Sequence, residues 1–207
     1  LQLVNLQKLF YTLVLFLSIE NKLFYKIFYK VTIVNKEKIE NAKGVVISGN
    51  HLRNHDPLLF PAFFDKKIRF IAKEELFKVF FIKQALEATG AIPIKRGTFD
   101  RTAINNSIKL LREGEVVGIF PEGTRSHSKD LDLGQSHNGA SFIATRAKTK
   151  IIPFAIIPNK NFRIFSSIKI VIGDEIDATT LKEEGKSHDE ITAILMECIS
   201  ELIEKEK

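Results

Sequence analysis

Short apolar runs alternate with segments of helical period along most of the chain, and this alternation limits the folds available to it. Runs that fit buried strands occupy residues 45–48, 68–72, 91–94, 115–120, 151–157 and 168–172. Helical spacing lies between them over residues 57–64, 74–88, 100–112 and 138–148. The last helix is the clearest, because apolar residues recur at i, i+3, i+4, i+7 and i+8 from Ile191 to Ile203. The alternation predicts an α/β fold with a mostly parallel or mixed central sheet flanked by helices.

The N-terminal residues have the pattern of helices that lie against a membrane. Residues 9–19 form an uncharged run, shorter than the roughly 20 residues of a spanning helix. The next stretch carries lysine at every fourth residue from Lys22 to Lys30, beside an apolar stripe formed by Leu23, Phe24, Ile27, Phe28 and Val31. Such a basic amphipathic helix is typical of the bilayer interface. The alternative is that both helices cover the core, but so apolar a start is hard to bury in one small domain.

Length and charge fit this division of the chain. A chain of 207 residues fits one domain, or one domain with an appendage, and we predict a two-helix membrane-binding motif at residues 1–34 and an α/β domain at residues 35–207. Residues 1–43 hold seven Lys and three Glu, a net +4, whereas residues 174–207 hold four Lys and eleven acidic residues, a net −7. A nucleic-acid-binding protein would not be divided in this way, which excludes nucleic acid as a partner. The single cysteine, Cys198, excludes an intrachain disulfide and fits a reducing compartment.

The loop after the first buried strand contains a histidine and an aspartate. His51 follows the strand, and Asp56 comes five residues later, directly before Pro57 and a helix. A carboxylate on one imidazole nitrogen holds the ring in the tautomer that takes a proton from a hydroxyl, an effect worth about 10²–10⁴-fold in rate. Two plainer interpretations compete: Asp before Pro is a common helix N-cap, and His51 is equally well a hydrogen-bonded loop residue. A metal site that adds His55 is disfavoured, because no other His or Cys has ligand spacing.

A second loop with chemically useful residues follows the strand at 115–120 and has the sequence FPEGTRS. Gly123 lets the backbone approach a ligand closely, and the planar guanidinium of Arg125 suits phosphate. Lys95 and Arg96 end another strand, at 91–94. A surface Lys-Arg pair is usually only solvated. Parallel strands end at one edge of a sheet, however, so the two clusters could converge on one anion.

The sequence lacks the motifs of several other enzyme classes. It contains no G-x-S-x-G nucleophile elbow, no Walker-type phosphate loop and no G-x-G-x-x-G. Cys198 belongs to the apolar face of the last helix, so the chain has no recognisable covalent nucleophile. The residues alone therefore indicate a histidine that activates a hydroxyl beside an anion site, on a membrane-bound α/β domain.

These residues resemble four sequence blocks of the glycerolipid acyltransferases of the PlsC type, the 1-acyl-sn-glycerol-3-phosphate acyltransferases. The N-H-x-x-x-x-D-P block matches residues 50–57, and the block that ends in Arg-Gly after an apolar strand matches residues 90–97. The block F-P-E-G-T-R-S matches residues 120–126 in full, and the apolar strand around a proline matches residues 151–154. One H-x4-D is common by chance, whereas four blocks in the family's order are highly specific.

The resemblance implies transfer of a fatty acyl group from acyl-CoA or acyl-carrier protein to the sn-2 hydroxyl of lysophosphatidic acid, forming phosphatidic acid. His51 would take the hydroxyl proton, and Asp56 would orient and stabilise the imidazolium. The implied substrate-binding residues are Lys95, Arg96 and Arg125 at the glycerol phosphate and Glu122, Gly123 and Thr124 around the acceptor. No cofactor, metal or covalent acyl-enzyme is expected. The enzyme would bind membrane lipid peripherally, at the cytoplasmic face of the cell membrane.

Three departures from the family's pattern concern the acceptor. Arg53 stands where the family often has Ser, Asn138-Gly139 replaces a common Lys-Gly pair, and residues 148–150 replace a turn of small residues. The alternative acceptors are therefore glycerol 3-phosphate, a lysophospholipid or an ornithine lipid. More remote alternatives are a non-catalytic membrane-binding protein and a hydrolase in which His51 activates water.

Overall fold

The computed structural model describes residues 30–53, 56–95, 97, 99–122, 136–158 and 167–206. Its strands are β1 (Lys30–Val34), β2 (Val46–Gly49), β3 (Ile68–Lys73), β4 (Ile92–Ile94), β5 (Val116–Ile119), β6 (Ile151–Pro158) and β7 (Ser167–Ile172). Its α-helices are α1 (Glu37–Glu40), α2 (Asp56–Phe63), α3 (Phe80–Thr89), α4 (Arg101–Arg112), α5 (Gly139–Ala147), α6 (Ala178–Glu183) and α7 (His188–Glu204). A 3₁₀ helix, Glu74–Lys78, connects β3 to α3.

Within the described residues, the strands form one seven-stranded sheet in the order β1-β7-β6-β2-β5-β3-β4. Neighbouring strands are parallel except β6 and β7, which pair in antiparallel register. The central strands are apolar on both faces, as expected where helices cover both sides of a parallel sheet. The predicted mostly parallel sheet flanked by helices is confirmed.

The core has two halves, one on each face of the sheet. Successive residues of a strand point to opposite faces, and in β2 Val46 belongs to one buried cluster and Ile47 to the other. Helices α4, α5 and α7 cover the first face, with Ile143 and Leu195 buried against it. Helices α1 and α2 cover the second face, where Phe60 is fully buried.

The helix predicted over residues 74–88 is in fact two elements. Val79 has extended backbone angles (φ −87°, ψ 111°), which interrupt the helical hydrogen-bond pattern between the 3₁₀ helix and α3. Apolar residues continue at helical spacing through this break, so periodicity does not reveal it. The short helices α1 and α6 and the strand β1 are additions to the predicted elements.

Strand β1 corrects one part of the N-terminal prediction. Lys30 and Val31, which their spacing assigned to the basic helix, pair in parallel with Ser167 and Ile168 of β7. The sequence KVTIV is rich in β-branched residues, which favour a strand over a helix. Residues 1–29 lie outside the described residues, so the membrane-binding motif and the division into two parts stay predictions. No helix in the described part of the chain is long and apolar enough to cross a membrane.

Candidate active site

The site lies at the edge of the sheet where β2 ends beside β6. Gly49, the last residue of β2, packs so closely that a Cβ there would overlap the carbonyl oxygen of Phe154. Asn50 is buried. Its side-chain amide donates to the Ile156 carbonyl at 3.0 Å, and its amide oxygen accepts from the Ile156 N–H at 2.7 Å. The side chain of Asn50 thus extends the strand pairing by one step and fixes the backbone that carries His51.

His51 and Asp56 form the pair that their spacing predicts. His51 Nδ1 lies 3.0 Å from Asp56 Oδ2, and the imidazole side chain is 14% exposed whereas the carboxylate is wholly buried. The same Oδ2 accepts from the N–H groups of Leu52 at 2.6 Å and Arg53 at 2.7 Å. A buried carboxylate needs such donors, because it has lost its hydration. With the Nδ1 proton directed at Asp56, Nε2 holds the lone pair that can accept a proton from a substrate.

The hydrogen bonds of Asp56 differ from those of a helix N-cap. Asp56 is the first residue of α2, but its Oδ2 binds N–H groups of the preceding loop rather than those of the helix. Its Oδ1 is buried and has no hydrogen-bond partner within the described chain. The carboxylate therefore holds the loop and the imidazole.

Strand β5, the neighbour of β2, supplies a second wall. Phe120 follows β5 and stacks on the His51 imidazole, with ring centroids 4.2 Å apart and planes 19° apart. Glu122 is 3% exposed, and its Oε1 accepts from the His51 N–H at 3.3 Å. The sequence prediction of the site includes Glu122 but omits Asn50 and Phe120. Both omitted residues adjoin a strand end and belong to the matched blocks, which is the signal that could have found them.

The predicted anion-binding residues are only partly described. Lys95 is exposed and follows β4, at the same edge of the sheet as His51. It lies three strands from β2, which at the usual strand spacing is about 14 Å. Arg96, Gly123, Thr124 and Arg125 lie outside the described residues. The structure therefore brings His51, Asp56 and Glu122 together, while convergence of the cations on one anion stays a prediction.

Other chemical groups in the described residues are poorly placed for catalysis. Burial raises the pKa of the Cys198 thiol, and the nearby Glu201 and Glu197 carboxylates raise it further. A thiol with a raised pKa is a weak nucleophile at neutral pH. No three His, Cys, Asp or Glu side chains of the described residues cluster closely enough to hold a metal ion, and His55 is not among those residues.

Fold and site together place a histidine that can act as a general base on an α/β domain. The base is oriented by a buried carboxylate at the carboxyl ends of parallel strands, where ligands bind in such folds. An imidazole that gained a proton here would be stabilised by the negative charge of Asp56.

Comparison with known proteins assigns the chain to a family. The family model described as Acyltransferase matches residues 30–157. The chain is 30% identical over 184 residues to the 1-acyl-sn-glycerol-3-phosphate acyltransferase of Borreliella burgdorferi, covering 84% of this chain and 72% of that one. It is 35% identical over 150 residues to the enzyme of the same name from Bacillus subtilis, covering 70% and 73%. The chain therefore belongs to the acyltransferase family.

A solved structure supports the fold independently. The crystal structure of the 1-acyl-sn-glycerophosphate acyltransferase PlsC from Thermotoga maritima has a TM-score of 0.65 to this chain at 22% identity, covering 87% of this chain and 74% of that one. The resemblance drawn from the four sequence blocks is confirmed, and the protein is an acyltransferase.

Proposed function

We propose that the enzyme transfers a fatty acyl group from acyl-CoA or acyl-carrier protein to the sn-2 hydroxyl of 1-acyl-sn-glycerol 3-phosphate, forming phosphatidic acid. The observation that carries this proposal is the contact of 3.0 Å between His51 Nδ1 and the buried Asp56 Oδ2, at the carboxyl edge of the sheet. The relatives from Borreliella burgdorferi and Bacillus subtilis are named for this reaction and support the choice of acceptor.

The reaction follows from the protonation states of the pair. The hydroxyl oxygen of the acceptor bonds to the thioester carbonyl carbon while its proton moves to Nε2 of His51. Asp56 stabilises the resulting imidazolium and does not take the proton itself. The tetrahedral intermediate then loses the C–S bond, and the imidazolium returns the proton to the departing thiolate. Acyl transfer is direct, so it needs neither a covalent acyl-enzyme nor a metal or cofactor.

The other predicted site residues bind the acceptor. Lys95, Arg96 and Arg125 bind the glycerol phosphate, because two or three cations together match its charge. Glu122 holds the backbone of His51 through the contact of 3.3 Å and shapes the acceptor site together with Gly123 and Thr124. These roles predict that substitution of a phosphate-binding cation raises KM, whereas substitution of His51 or Asp56 lowers kcat.

The enzyme works peripherally, at the cytoplasmic face of the membrane. Acceptor and product are both amphiphiles, so catalysis at the lipid surface avoids extracting either one into water. Within the predicted motif of residues 1–34, the basic and apolar residues that precede β1 supply the attachment to anionic lipid. Acyl-CoA and acyl-carrier protein are both soluble in water, so the donor approaches from the aqueous side.

The test is a thiol-release assay with the protein on lipid vesicles. Long-chain acyl-CoA and lysophosphatidic acid are supplied to the wild type, to His51→Ala and to His188→Phe, a matched histidine variant outside the site. We expect release that depends on the acceptor in the wild type and in His188→Phe. In His51→Ala it should fall by about 10²–10⁴-fold, the usual contribution of a general base.

Three outcomes would change the proposal. Thiol release without acceptor would identify a hydrolase. Release with glycerol 3-phosphate, a lysophospholipid or an ornithine lipid, but not with lysophosphatidic acid, would change the acceptor and leave the chemistry intact. Silence with every acceptor and with both acyl-CoA and acyl-carrier protein would make the assignment wrong.

A further inference from the structure

The large apolar side chains that the described residues expose all come from one stretch of the chain, residues 76–99. Four of them lie on the 3₁₀ helix, at the break after it and at the start of α3, and we call them the apolar patch: Leu76 (37% exposed), Val79 (47%), Phe80 (62%) and Ile82 (38%). The fifth, Phe99 (66% exposed), lies in the segment between β4 and α4. Exposed apolar side chains that cluster in this way mark a surface for interaction, whereas single ones do not.

The composition of this stretch makes its exposure unusual. Residues 76–82 read LFKVFFI, in which six of seven residues are apolar. A segment of this kind normally turns its apolar face into the core. Among the described side chains of residues 74–89, however, none is fully buried and none belongs to either core cluster. Their apolar character therefore contributes to neither core cluster of the described residues.

The patch begins at the catalytic edge of the sheet. Strand β3 ends at Lys73, and the 3₁₀ helix starts at the next residue. In the sheet β3 is separated from β2 only by β5, which places the end of β3 about 10 Å from the end of β2. Phe99 follows β4, which ends at the same edge. A surface that covers the patch would therefore also face the opening of the active site.

Cations flank the apolar side chains in the sequence. Residues 73–96, from the end of β3 onward, hold five Lys and Arg against three Glu, a net +2. The exposed lysines near the patch are Lys73, Lys78, Lys83 and Lys95. An apolar centre with a rim of lysines complements a bilayer that contains anionic lipid, because the lysines reach phosphate while the apolar side chains enter the acyl region.

We propose that the apolar patch and its lysines dock on an anionic lipid bilayer. This contact is separate from the one predicted for residues 1–34, and it turns the catalytic edge toward the lipid. Only the benefit of this docking rests on the proposed function: an amphiphilic acceptor would reach His51 without crossing water. Its evidence is the exposure, position and charge of residues 73–99.

Tryptophan fluorescence tests the contact directly, because the chain has no native Trp. The reporter is Phe80→Trp in the full-length chain, and the control is Lys109→Trp. Lys109 is on α4, 73% exposed in its side chain, near the end of the helix that leads to the start of β5 at the opposite edge. Each variant is mixed with vesicles of phosphatidylcholine and phosphatidylglycerol, with and without brominated lipid. We expect blue-shifted, bromine-quenched emission from Phe80→Trp and unshifted, unquenched emission from Lys109→Trp.

A second measurement uses partition rather than fluorescence. The double variant Val79→Ser/Phe80→Ser should bind these vesicles at least about tenfold more weakly than the wild type, because two exposed apolar side chains no longer enter the lipid. Circular dichroism should be unchanged, since neither side chain is part of the core. Partition needs no substrate, so His51→Ala should bind vesicles as the wild type does, and a failure of the proposed reaction would leave this result unaffected.

Two results would overturn the inference. If vesicle-bound Phe80→Trp emits as in water and is not quenched, the patch does not touch the bilayer. If its emission is already blue-shifted without vesicles, another part of this chain or a second copy covers the patch. Dependence of that shift on protein concentration would identify the second copy.

Discussion

Asp56 has two structural roles in the site, and a single oxygen, Oδ2, performs both. Oδ2 accepts three hydrogen bonds, one from the His51 imidazole and two from the loop N–H groups of Leu52 and Arg53. The carboxylate thus sets the shape of the loop as well as the tautomer of the base. In the proposed reaction its charge would also contribute, because an imidazolium formed beside a buried anion is stabilised at short range.

Asp56→Asn separates the charge from the hydrogen bonds. The amide oxygen still accepts from the loop, so the fold should survive, but the imidazolium loses its counter-charge. We expect kcat to fall by about 10²–10⁴-fold with KM within a few-fold of the wild type. Steady-state kinetics on vesicles measure this, with thermal unfolding as the check on the fold. An unchanged kcat would show that the charge of Asp56 plays no part.

Gly49 is needed because β2 approaches β6 closely at this residue. A methyl group at Gly49 would overlap the Phe154 carbonyl oxygen, which is backbone and cannot rotate away. Gly49→Ala should therefore lower the free energy of unfolding by about 1–3 kcal/mol, the usual cost of overpacking. It should also lower activity, because Asn50 and His51 follow directly.

Gly139→Ala is the matched control for Gly49→Ala. A Cβ at Gly139 would meet nothing within 4 Å, and the residue begins α5. Alanine should be neutral or stabilise the protein by up to about 1 kcal/mol. Chemical denaturation of both variants gives the comparison, and equal losses of stability would contradict the packing argument.

At the scale of elements, the N-terminus of α4 also organises the end of β4. Asp100 is the N-cap of α4, and its Oδ1 accepts from the N–H groups of Thr102 and Ala103, each at 3.1 Å. Its Oδ2 accepts from the N–H of Lys95 at 2.9 Å, which ties the loop after β4 to the helix. One carboxylate thus places both a helix start and a predicted phosphate-binding residue.

Asp100→Ala should lower the free energy of unfolding by about 1 kcal/mol, as for other caps, while Asp100→Asn should keep most of it. Hydrogen bonds from Lys95, and then from Ala103, lower the pKa of Asp100 below its ordinary value. The stabilisation is therefore complete above the unfolded pKa, near 4, and is lost as the pH falls through the lower folded pKa. Denaturation at pH 7 and at pH 3 tests both statements, and an Asp100→Ala deficit that persists undiminished at pH 3 would contradict the second.

The elements differ in how well the sequence predicts them. The central strands are predictable because burial on both faces leaves a continuous apolar run. Helix α7 is predictable because burial of one stripe leaves apolar residues at helical spacing. Strand β1 is not, since its residues alternate between exposed and half-buried at the edge of the sheet. The sequence also does not reveal the break at Val79. The apolar residues on both sides of the break keep helical spacing, although they belong to neither core cluster.

The site shows the same division between local and distant information. His51 and Asp56 are five residues apart, so their pairing is predictable from one loop. The contact from Glu122 to His51 spans 71 residues, and it requires β5 to lie between β2 and β3. The residues of β5 do not indicate that it lies between β2 and β3, because parallel strands of similar length and apolar content have similar sequence patterns. The family resemblance identifies Glu122, but only the strand order shows that it holds the backbone of the base.

At the scale of the whole molecule, charge is arranged to match one orientation on anionic lipid. Residues 73–96, with a net +2, carry the apolar patch and begin at the edge of the sheet that holds the site. Residues 174–207, with a net −7, form α6 and α7, which pack on one face of the sheet. An anionic surface attracts the first segment and repels the second, so the charge distribution favours the docking that the apolar patch permits.

Helix α7 also gives the whole domain a pH dependence. His188 is its first residue, with the imidazole 5.3 Å from the Phe142 ring of α5 and a buried Nδ1 that has no hydrogen-bond partner in the described residues. Burial lowers the pKa of His188, and the charges of Lys182 and Arg146 lower it further, against the opposing effect of Asp189. The unfolded chain, with an ordinary imidazole, therefore takes up this proton at a higher pH than the folded protein.

The sign of the effect follows from that difference in proton uptake. As the pH falls from above the unfolded pKa, about 6.5, toward the lower folded value, the unfolded state gains the proton first, and the free energy of unfolding decreases. His188→Phe keeps an aromatic ring against Phe142 and removes the titration, so its stability should fall less between pH 7.5 and pH 5 than that of the wild type. Urea denaturation across that range measures both slopes. Because α7 covers the core on one face of the sheet, identical slopes would mean that His188 reaches solvent in the folded protein and that the packing of α7 on α5 is looser than described.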